Sequence, residues 1–557
     1  MNIVFIAIDT LRADRLGCYG HDRVTSPHLD ALAARGVRFA QHISPHIPTH
    51  PGYTTMFSGK DVLSHQIVTQ GGKVDLAESV HLLPQVLQRR GYFTAAADNM
   101  GRWFNRGYDL YEGYNWNQDP SGAWLKAEAV NGTALRVLDA CEQQDKPWFC
   151  FLHYWDPHTP YLPPAPFSRM FYPGDEKDPG NTSAHEMMHE YPAFQYYFQE
   201  WMPGLTDVEF PKAQYDAEIA YVDAALAHVF TKVEQMKSGQ DTAIIITSDH
   251  GEELDEHQMW FDHHGLYETN LHVPLLMYHP ERLSGGQVRE GLSSHVDLAP
   301  TVLDLLGLAE AAEEERMEGR SLLPALDEGA GAVTDRDAVY ITECAWMKKR
   351  GFRTKKWKFF ESLYDELHKR PPFELYDLTV DPMEQNNLAE ALPEVRDAFK
   401  ADLDAHVAKR TAQTGKPDPQ SYQNITLTHV GNVNIASIFL NQRSGERSAT
   451  ALPLLSDSRI RALLRLRHLR QHFHAGIPGQ DAGHARVERA LLVPAVYRVQ
   501  VVRVEAPQHA APRAHARRPR DGSEERARAR QHRGCLRRAR ARVVRRAVGI
   551  ARPRVPP

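Results

Sequence analysis

The chain has 557 residues, of which 42% are hydrophobic and 24% charged, and its formal net charge is -6. These values are typical of a folded protein with one large or two moderate domains, and no stretch approaches the roughly 18 uninterrupted apolar residues of a membrane-spanning helix. Five cysteines without CxxC spacing indicate neither a disulfide framework nor a cysteine zinc site. We therefore expect a soluble, cytoplasmic protein without a membrane partner.

Three apolar runs have the length of buried parallel strands, and each ends in polar residues. The first, NIVFIAID, ends at Asp9 and lacks the basic region and cleavage site of a signal peptide. PWFCFLHYWDPH ends at His158, and DTAIIITSDHG ends at Asp249 and His250. Because ligands gather at the carboxyl ends of strands in open α/β sheets, these ends predict a shared site.

Helical patterns lie between the strands, in SPHLDALAARG, ESVHLLPQVLQRRGY and YDAEIAYVDAALAHVFTKVEQM. The alternation of strands and helices predicts an α/β fold with a doubly wound, mostly parallel sheet in a catalytic domain over 1–318. Within it, the segment 163–211 is rich in Pro and aromatic residues. It is either a wall of a substrate pocket or an insertion that only packs on the domain.

The pattern changes after about Gly319 to shorter segments. They predict a smaller C-terminal subdomain over 319–412, with antiparallel strands followed by a helix. Residues 413–557 form a third region, in which arginine far outnumbers the acidic residues from Arg443 onward and no lysine follows Lys416. The Ala/Pro/His-rich surroundings favour an irregular or disordered tail, or a shifted reading frame, over an arm that binds nucleic acid.

Asp9, Asp249 and His250 combine two hard carboxylate ligands with one imidazole. Such a set suits one divalent cation, Mn²⁺, Ca²⁺, Mg²⁺ or Zn²⁺, and leaves room for an exchangeable ligand. The alternative for each aspartate alone is a helix cap or a turn.

The run SPHIPTHPGYTTMFSGK resembles the sulfatase signature CxPxR with its following TG dipeptide, because Thr49, Pro51 and Ser58-Gly59 fall on the Cys, Pro and Thr-Gly. Further segments match in family order over about residues 1–410: AIDTLRADRLGCYG, DPHTPY, SDHGEELDEH, HHGLYETNLHVPLL, HVDLAPTVLDLLGL and ELYDLTVDPMEQNNLA. The chain is therefore similar to the sulfatase and alkaline phosphatase superfamily. This resemblance implies an alkaline-phosphatase-like sandwich with a smaller antiparallel sheet.

The resemblance also implies roles for particular residues. Asp9, Asp249 and His250 would bind a metal that also holds Thr49, whereas His158 and His264 would contact the transferred group or the leaving oxygen. His264 falls where many sulfatases have a lysine. An imidazolium there would stabilise charge only below its pKa, so we expect a pH dependence near neutrality.

The chain departs from the sulfatase pattern at several positions. Thr49 cannot be oxidised to formylglycine, because its extra methyl group prevents formation of the aldehyde. Tyr53 replaces the signature arginine, AAADNMG replaces a GKWHLG segment, and Thr10 replaces a frequent second Asp. We therefore expect no formylglycine and no sulfatase activity by the usual route.

Threonine is the nucleophile in related phosphodiesterases and phosphotransferases, so the sequence predicts a hydrolase that cleaves a phosphate or phosphonate ester through Thr49 and a covalent intermediate. One metal is expected, because only a loose second set, Asp156, His158 and His263, can be assembled. The alternatives are a sulfuric ester hydrolase and a catalytically inactive binding protein on the same fold. The expected partner is a small-molecule ester of phosphate, phosphonate or sulfate, and nucleic acid is not expected. A homo-oligomer is possible, and the sequence does not decide between it and a monomer.

Overall fold

The structure is a computed structural model that describes residues 1–190, 192–283, 285–326, 336–364, 368–426, 429–430 and 433–434. All of them belong to one compact unit, Met1–Gln480. A second unit, Asp481–Pro557, lies outside the described residues, as does most of the tail predicted over 413–557.

The strands are numbered in chain order: β1 Asn2–Ile8, β2 Val37–Ile43, β3 His46–Ile47, β4 Phe93–Ala97, β5 Leu110–Glu112, β6 Trp148–Tyr154, β7 Thr242–Thr247, β8 His272–Val273, β9 Leu275–Tyr278, β10 Gln287–Ser294, β11 Ala338–Glu343, β12 Lys349–Thr354, β13 Trp357–Ser362, β14 Phe373–Asp377, β15 His429–Val430 and β16 Val433–Asn434. Within the described residues, the large sheet has the order β10-β2-β9-β7-β1-β6-β4-β5, with β8 paired to β2. Its pairings are parallel except for those of β8 and β9.

The helices are likewise numbered in chain order: α1 Pro27–Arg35, α2 Thr49–Ser58, α3 Val62–His65, α4 Leu83–Arg89, α5 Lys126–Glu142, α6 His185–Glu190, α7 Pro192–Trp201, α8 Glu209–Gln235, α9 Glu268–Leu271, α10 Leu298–Leu305, α11 Ala309–Glu314 and α12 Pro393–Thr414.

The large sheet is buried on both faces. Along β1, Val4 and Ile6 belong to one hydrophobic cluster with residues of α5 and α8, whereas Ile3 and Phe5 belong to another with residues of α2, α4 and α10. Alternate side chains of a strand point to opposite faces, so a continuous apolar run is what a sheet between two helical layers requires. The predicted α/β sandwich is therefore confirmed.

A second sheet has the order β14-β13-β12-β11-β3 and is antiparallel except for the β11–β3 pair. A third hydrophobic cluster lies around it and includes Leu403 and Val407 of α12. The smaller antiparallel sheet expected after residue 319 is thus present. The sequence did not predict that β3, from the first part of the chain, joins its edge.

No helix in the described part of the chain combines the length and apolar character needed to cross a membrane. The domain boundaries at 318 and 412 stay predictions. In the described part of the segment 163–211, Phe198 of α7 contacts Phe261, with 5.2 Å between the ring centroids.

Candidate active site

The ends of two adjacent strands bring the predicted metal ligands together. In the large sheet, β1 pairs in parallel with both β6 and β7, and Ala7 lies level with Thr247. The residues that follow β1 and β7 therefore emerge at one edge of the sheet. Asp9 follows β1, and Asp249 and His250 follow β7; all three side chains are fully buried.

Asp9, Asp249 and His250 each offer a ligand atom, and these atoms lie within 4.8 Å of one another. Both carboxylate oxygens of Asp9 and Oδ2 of Asp249 accept no hydrogen bond from the described residues, although His153 Nε2 lies 3.5 Å from Asp9 Oδ2 and His250 Nε2 lies 3.2 Å from Asp249 Oδ2. Burying carboxylate oxygens without hydrogen bonds is costly, so this donor set fits a divalent cation. Asp9, Asp249 and His250 would hold the cation, as the sequence predicts.

Neighbouring charges act differently on the two carboxyl groups. Burial alone would raise the pKa of Asp9, but the nearby imidazole of His153 and the charges of His158 and His250 lower it to about 2. Burial and the charge of Asp9 raise the pKa of Asp249 to about 6. Without a cation, the folded protein therefore resists placing two negative charges here.

The backbone next to the site is strained. Thr10 has a φ of 56°, which is an uncommon value for a β-branched residue. In this conformation the Thr10 N–H donates to Asp249 Oδ1 at 3.2 Å. Strain of this kind concentrates where the surrounding structure fixes functional groups, and here it fixes one oxygen of Asp249.

The predicted nucleophile lies beside this cluster. Thr49 is the first residue of α2 and is 1% exposed, and its Oγ1 lies 3.3 Å from Nε2 of His250. Close packing is possible because residue 52 is glycine; a Cβ there would lie 3.0 Å from the Asp249 carbonyl oxygen. Nδ1 of His250 lies 2.9 Å from the Gly251 carbonyl oxygen, which leaves Nε2 as the ligand atom.

Two further histidines surround the cluster. The ring of His263 stacks on that of His250, with 4.6 Å between centroids, and lies 5.2 Å from the ring of His158. Burial would lower the pKa of His263, but the charge of Asp262 and the hydrogen bond of Glu252 raise it to about 10. Burial lowers the pKa of His158 to about 4. Of these two rings, that of His263 is therefore cationic and that of His158 neutral at neutral pH.

His264, which the sequence predicts as a catalytic residue, has other neighbours. Its ring stacks on His368 at 4.9 Å and lies 5.8 Å from Trp346, both in the C-terminal part of the chain. Burial and the charge of His368 lower its pKa well below the ordinary value. The structure thus brings His263 rather than His264 against His158 and His250, and the catalytic role of His264 stays a prediction.

His153 and Asp98 are site residues that the sequence analysis did not find. Nδ1 of His153 lies 2.8 Å from Asp98 Oδ1, and Nε2 lies 3.5 Å from Asp9 Oδ2. Burial would lower the pKa of His153, but the nearby carboxylate of Asp9 and the hydrogen bond with Asp98 raise it to about 9. Asp98 belongs to the AAADNMG segment, which the sequence analysis treated only as a departure from the GKWHLG segment of sulfatases. The parallel pairing of β1 and β6 in the structure sets His153 level with Ala7, close to the end of β1.

The loose second metal set does not come together. His158 and His263 are neighbours, but Asp156 forms an ion pair with the buried Lys126 at 3.1 Å. Lys126 also donates to the His158 carbonyl oxygen at 2.7 Å. Among the described residues, Asp9, Asp249 and His250 are the one group of three or more that could hold a metal ion.

Lys126 is expected to be essential for stability. Its side chain is 2% exposed, and the charges of Asp156 and Glu218 raise its pKa even though burial opposes this. Removing one partner of a buried pair leaves an uncompensated charge, so Lys126→Met should lower the free energy of unfolding by about 3–5 kcal/mol. Urea unfolding measures this. Lys232→Met, which removes a more exposed pair with Asp139, should cost less than about 1 kcal/mol; equal losses would contradict the prediction.

Comparisons with known proteins agree with this architecture. The family model described as Sulfatase matches residues 1–308, and the one described as N-sulphoglucosamine sulphohydrolase, C-terminal, matches residues 255–412. The chain is 24% identical over 477 residues to the N-acetylglucosamine-6-O-sulfatase of Bacteroides thetaiotaomicron, covering 70% of this chain and 82% of that protein. It is 25% identical over 408 residues to the multifunctional alkaline phosphatase superfamily protein PehA of Trinickia caryophylli, covering 59% and 77%.

Among solved structures, the phosphonate monoester hydrolase of Agrobacterium radiobacter has a TM-score of 0.58 and 23% identity, covering 73% of this chain and 96% of that chain. A 2-O GAG sulfatase has a TM-score of 0.60 and 20% identity, covering 75% and 95%. At this identity the likeness shows the fold, and it confirms the predicted alkaline-phosphatase-like architecture.

Proposed function

The chain belongs to the sulfatase family of ester hydrolases, and from this we propose that it hydrolyses a phosphate or phosphonate ester through attack by Thr49. The observation that supports the proposal most strongly is the position of the Thr49 hydroxyl, 3.3 Å from His250 beside two buried carboxylates. A hydroxyl placed next to a cation site is the arrangement that nucleophilic catalysis by threonine requires.

The bound cation would lower the pKa of the Thr49 hydroxyl and offset negative charge on the transferred group. Thr49 Oγ1 gives up its proton and forms a bond to phosphorus while the bond to the leaving oxygen breaks; the leaving group departs as the alcohol, having gained one proton, and a phosphothreonine remains. A water molecule attacks the same phosphorus atom, releases the phosphate or phosphonate and returns the hydroxyl to Thr49. The cationic ring of His263 offsets charge on the non-bridging oxygens.

His158 is suited to a different part of this reaction. Its Nδ1 lies 2.8 Å from the Thr159 carbonyl oxygen, so Nδ1–H donates to it and Nε2 keeps a free electron pair. With a pKa of about 4, this neutral imidazole can accept a proton from water in the second step. Protonation of His158 would therefore reduce the rate only in acid.

Phosphorus is preferred to sulfur in this proposal because of the nucleophile. A sulfatase that uses formylglycine releases sulfate when a hydrated aldehyde collapses, and threonine cannot form that aldehyde. A phosphothreonine, by contrast, needs only attack by water. The similarity to the protein PehA, which is named multifunctional, and the shared fold with a phosphonate monoester hydrolase are compatible with this chemistry.

A substrate panel tests the preference. With Mn²⁺, Zn²⁺, Ca²⁺ or Mg²⁺ added separately, kcat/KM is measured for aryl phosphate monoesters, phosphate diesters, phosphonate monoesters and aryl sulfates. We expect at least one phosphorus ester to exceed the matched sulfate by about 100-fold, a difference of about 2.7 kcal/mol between transition states. Turnover of the aryl sulfate alone would contradict the proposed preference for phosphorus esters and favour a sulfuric ester hydrolase.

The second candidate is a sulfuric ester hydrolase that works directly through Thr49. Similarity to the Bacteroides N-acetylglucosamine-6-O-sulfatase, over 70% of this chain, favours it. The altered positions 49 and 53 motivate a third, an inactive binding protein. Measuring the response to metal distinguishes the inactive binding protein from the two enzymes. If none of the cations changed the melting temperature and no ester were hydrolysed, the inactive binding protein would be supported.

A further inference from the structure

Tyr53 lies on the same face of α2 as the proposed nucleophile. Thr49 and Tyr53 are four residues apart in this helix, and residues at this spacing are neighbours on one face. The Tyr53 side chain is fully buried, and its ring centroid lies 5.1 Å from that of His153, which in turn contacts Asp9. Tyr53 therefore faces the end of the sheet that carries the candidate metal ligands.

The Tyr53 hydroxyl has no hydrogen-bond partner among the described residues, although it is buried. The charged groups that act on it are the carboxylates of Asp249, Asp9 and Asp98, and with burial they raise its pKa well above the ordinary value. The hydroxyl is therefore a permanent donor near the cation site. A buried donor without an acceptor costs free energy, so packing alone does not explain the hydroxyl.

The ring itself is accounted for by packing, because it contacts the aromatic rings of Phe57, Phe104 and Phe151. A phenylalanine would make the same contacts without burying a polar group. Packing therefore accounts for the ring of Tyr53 but not for its hydroxyl.

We propose that the Tyr53 hydroxyl is a catalytic hydrogen-bond donor to one non-bridging oxygen of the tetrahedral oxyanion transferred at Thr49. The ligand class is a phosphate or phosphonate group, and to that extent the inference rests on the proposed function. Tyr53 is neutral, so it stabilises the oxyanion by a directed hydrogen bond and adds no charge. The bond would form fully only when the oxyanion is present, which explains why the fold leaves the hydroxyl without an acceptor.

The test compares two tyrosine to phenylalanine variants of the full chain. Tyr53→Phe removes the unpartnered hydroxyl. Tyr154→Phe is the matched control, since the buried Tyr154 hydroxyl donates to Asn131 Oδ1 at 2.5 Å. Three quantities are measured for each: the melting temperature of the metal-free protein, the affinity of the metal-loaded protein for inorganic phosphate, and kcat/KM for the best phosphorus ester.

Loss of a single oxyanion donor costs on the order of 100-fold in kcat, so Tyr53→Phe should lower kcat/KM by about 30- to 300-fold. It should also weaken phosphate binding by about 10-fold, about 1.4 kcal/mol, while the metal-free protein melts at the same or a higher temperature. Tyr154→Phe should do the reverse, with a lower melting temperature and unchanged kinetics.

Wild-type kcat/KM and phosphate affinity in Tyr53→Phe would overturn the inference. A fall in its melting temperature like that of Tyr154→Phe would also overturn it, because the hydroxyl would then have a partner within the fold. If the wild type hydrolyses no ester but binds phosphate, and Tyr53→Phe binds it about 10-fold more weakly, the proposed function fails and the donor role of Tyr53 stands.

Discussion

Replacing Thr49 with alanine is expected to reduce kcat/KM for the best phosphorus ester by about 10⁴-fold or more, because it removes the attacking oxygen. Thr49 is buried at the first turn of α2, and alanine keeps its Cβ and removes only the hydroxyl and one methyl group, so the fold should persist. The measurement is kcat/KM with the cation saturating, supported by mass spectrometry of acid-quenched enzyme. A phosphorylated peptide containing residue 49 should be found in the wild type and should be absent from the variant.

A matched control is available on the same helix. Thr54 is also buried, and its Oγ1 accepts a hydrogen bond from Trp103 Nε1 at 3.0 Å, away from the cluster. Thr54→Ala should lower the free energy of unfolding by about 1 kcal/mol and leave kcat/KM unchanged within about 3-fold. Thr49→Ser should retain turnover because it keeps the hydroxyl. Equal activity in Thr49→Ala and the wild type would contradict the role of Thr49 as the nucleophile.

Replacing Asp249 with asparagine should have opposite effects on the metal-free and metal-loaded protein. In the folded protein without metal the pKa of Asp249 is raised to about 6, above the value of about 3.9 in unfolded chains. A raised carboxyl pKa contributes most stability below pH 3.9 and loses it as the pH rises through 6. At pH 7.5 the ionised group therefore destabilises the metal-free fold, and Asp249→Asn should stabilise it by on the order of 1–3 kcal/mol.

The same substitution should abolish the stabilisation by metal. A cation at about 100 times its Kd stabilises the wild type by about 2.7 kcal/mol, and the variant, lacking one ligand charge, should show no such shift and lose turnover by about 10³-fold or more. Thermal unfolding with chelator and with Mn²⁺, from pH 4 to pH 8, measures both effects. In the wild type, the shift caused by metal should fall as the pH drops below 6, since protons then compete for Asp249.

Asp223 provides the matched control for this experiment. It is buried, and burial likewise raises its pKa to about 6, but its carboxylate accepts backbone hydrogen bonds from His28 and Leu29. Asp223→Asn should leave the response to metal unchanged. If Asp223→Asn and Asp249→Asn weakened the metal response equally, a metal site at Asp249 would be contradicted.

Much of the candidate site was predictable because it depends on local pattern. An apolar run that ends in Asp9, and another that ends in Asp249 and His250, indicate buried strands whose next residues leave the sheet at one edge. The signature around Thr49 then predicted the nucleophile. In the structure β1 and β7 are adjacent and parallel, which brings Asp9, Asp249 and His250 together, and the start of α2 places Thr49 beside them.

Other features were decided by the tertiary structure. Adjacent residues of a chain direct their side chains differently, so the sequence HHG could not show that His263 would stack on His250 while His264 stacks on His368. The bond between His153 and Asp98 joins residues 55 positions apart. Such pairs depend on the order of the strands in the sheet and on which buried charged groups come close to one another.

The sequence by itself therefore determined the family, the layered α/β architecture and the residues that end the central strands, because each follows from hydrophobic period and motif. Only the tertiary structure decided which imidazoles are cationic, which lysine pairs with Asp156 and where the Tyr53 hydroxyl lies. These depend on distances between buried groups, and burial turns differences of a few ångströms into large differences in the free energy of a charge or an unpaired hydroxyl.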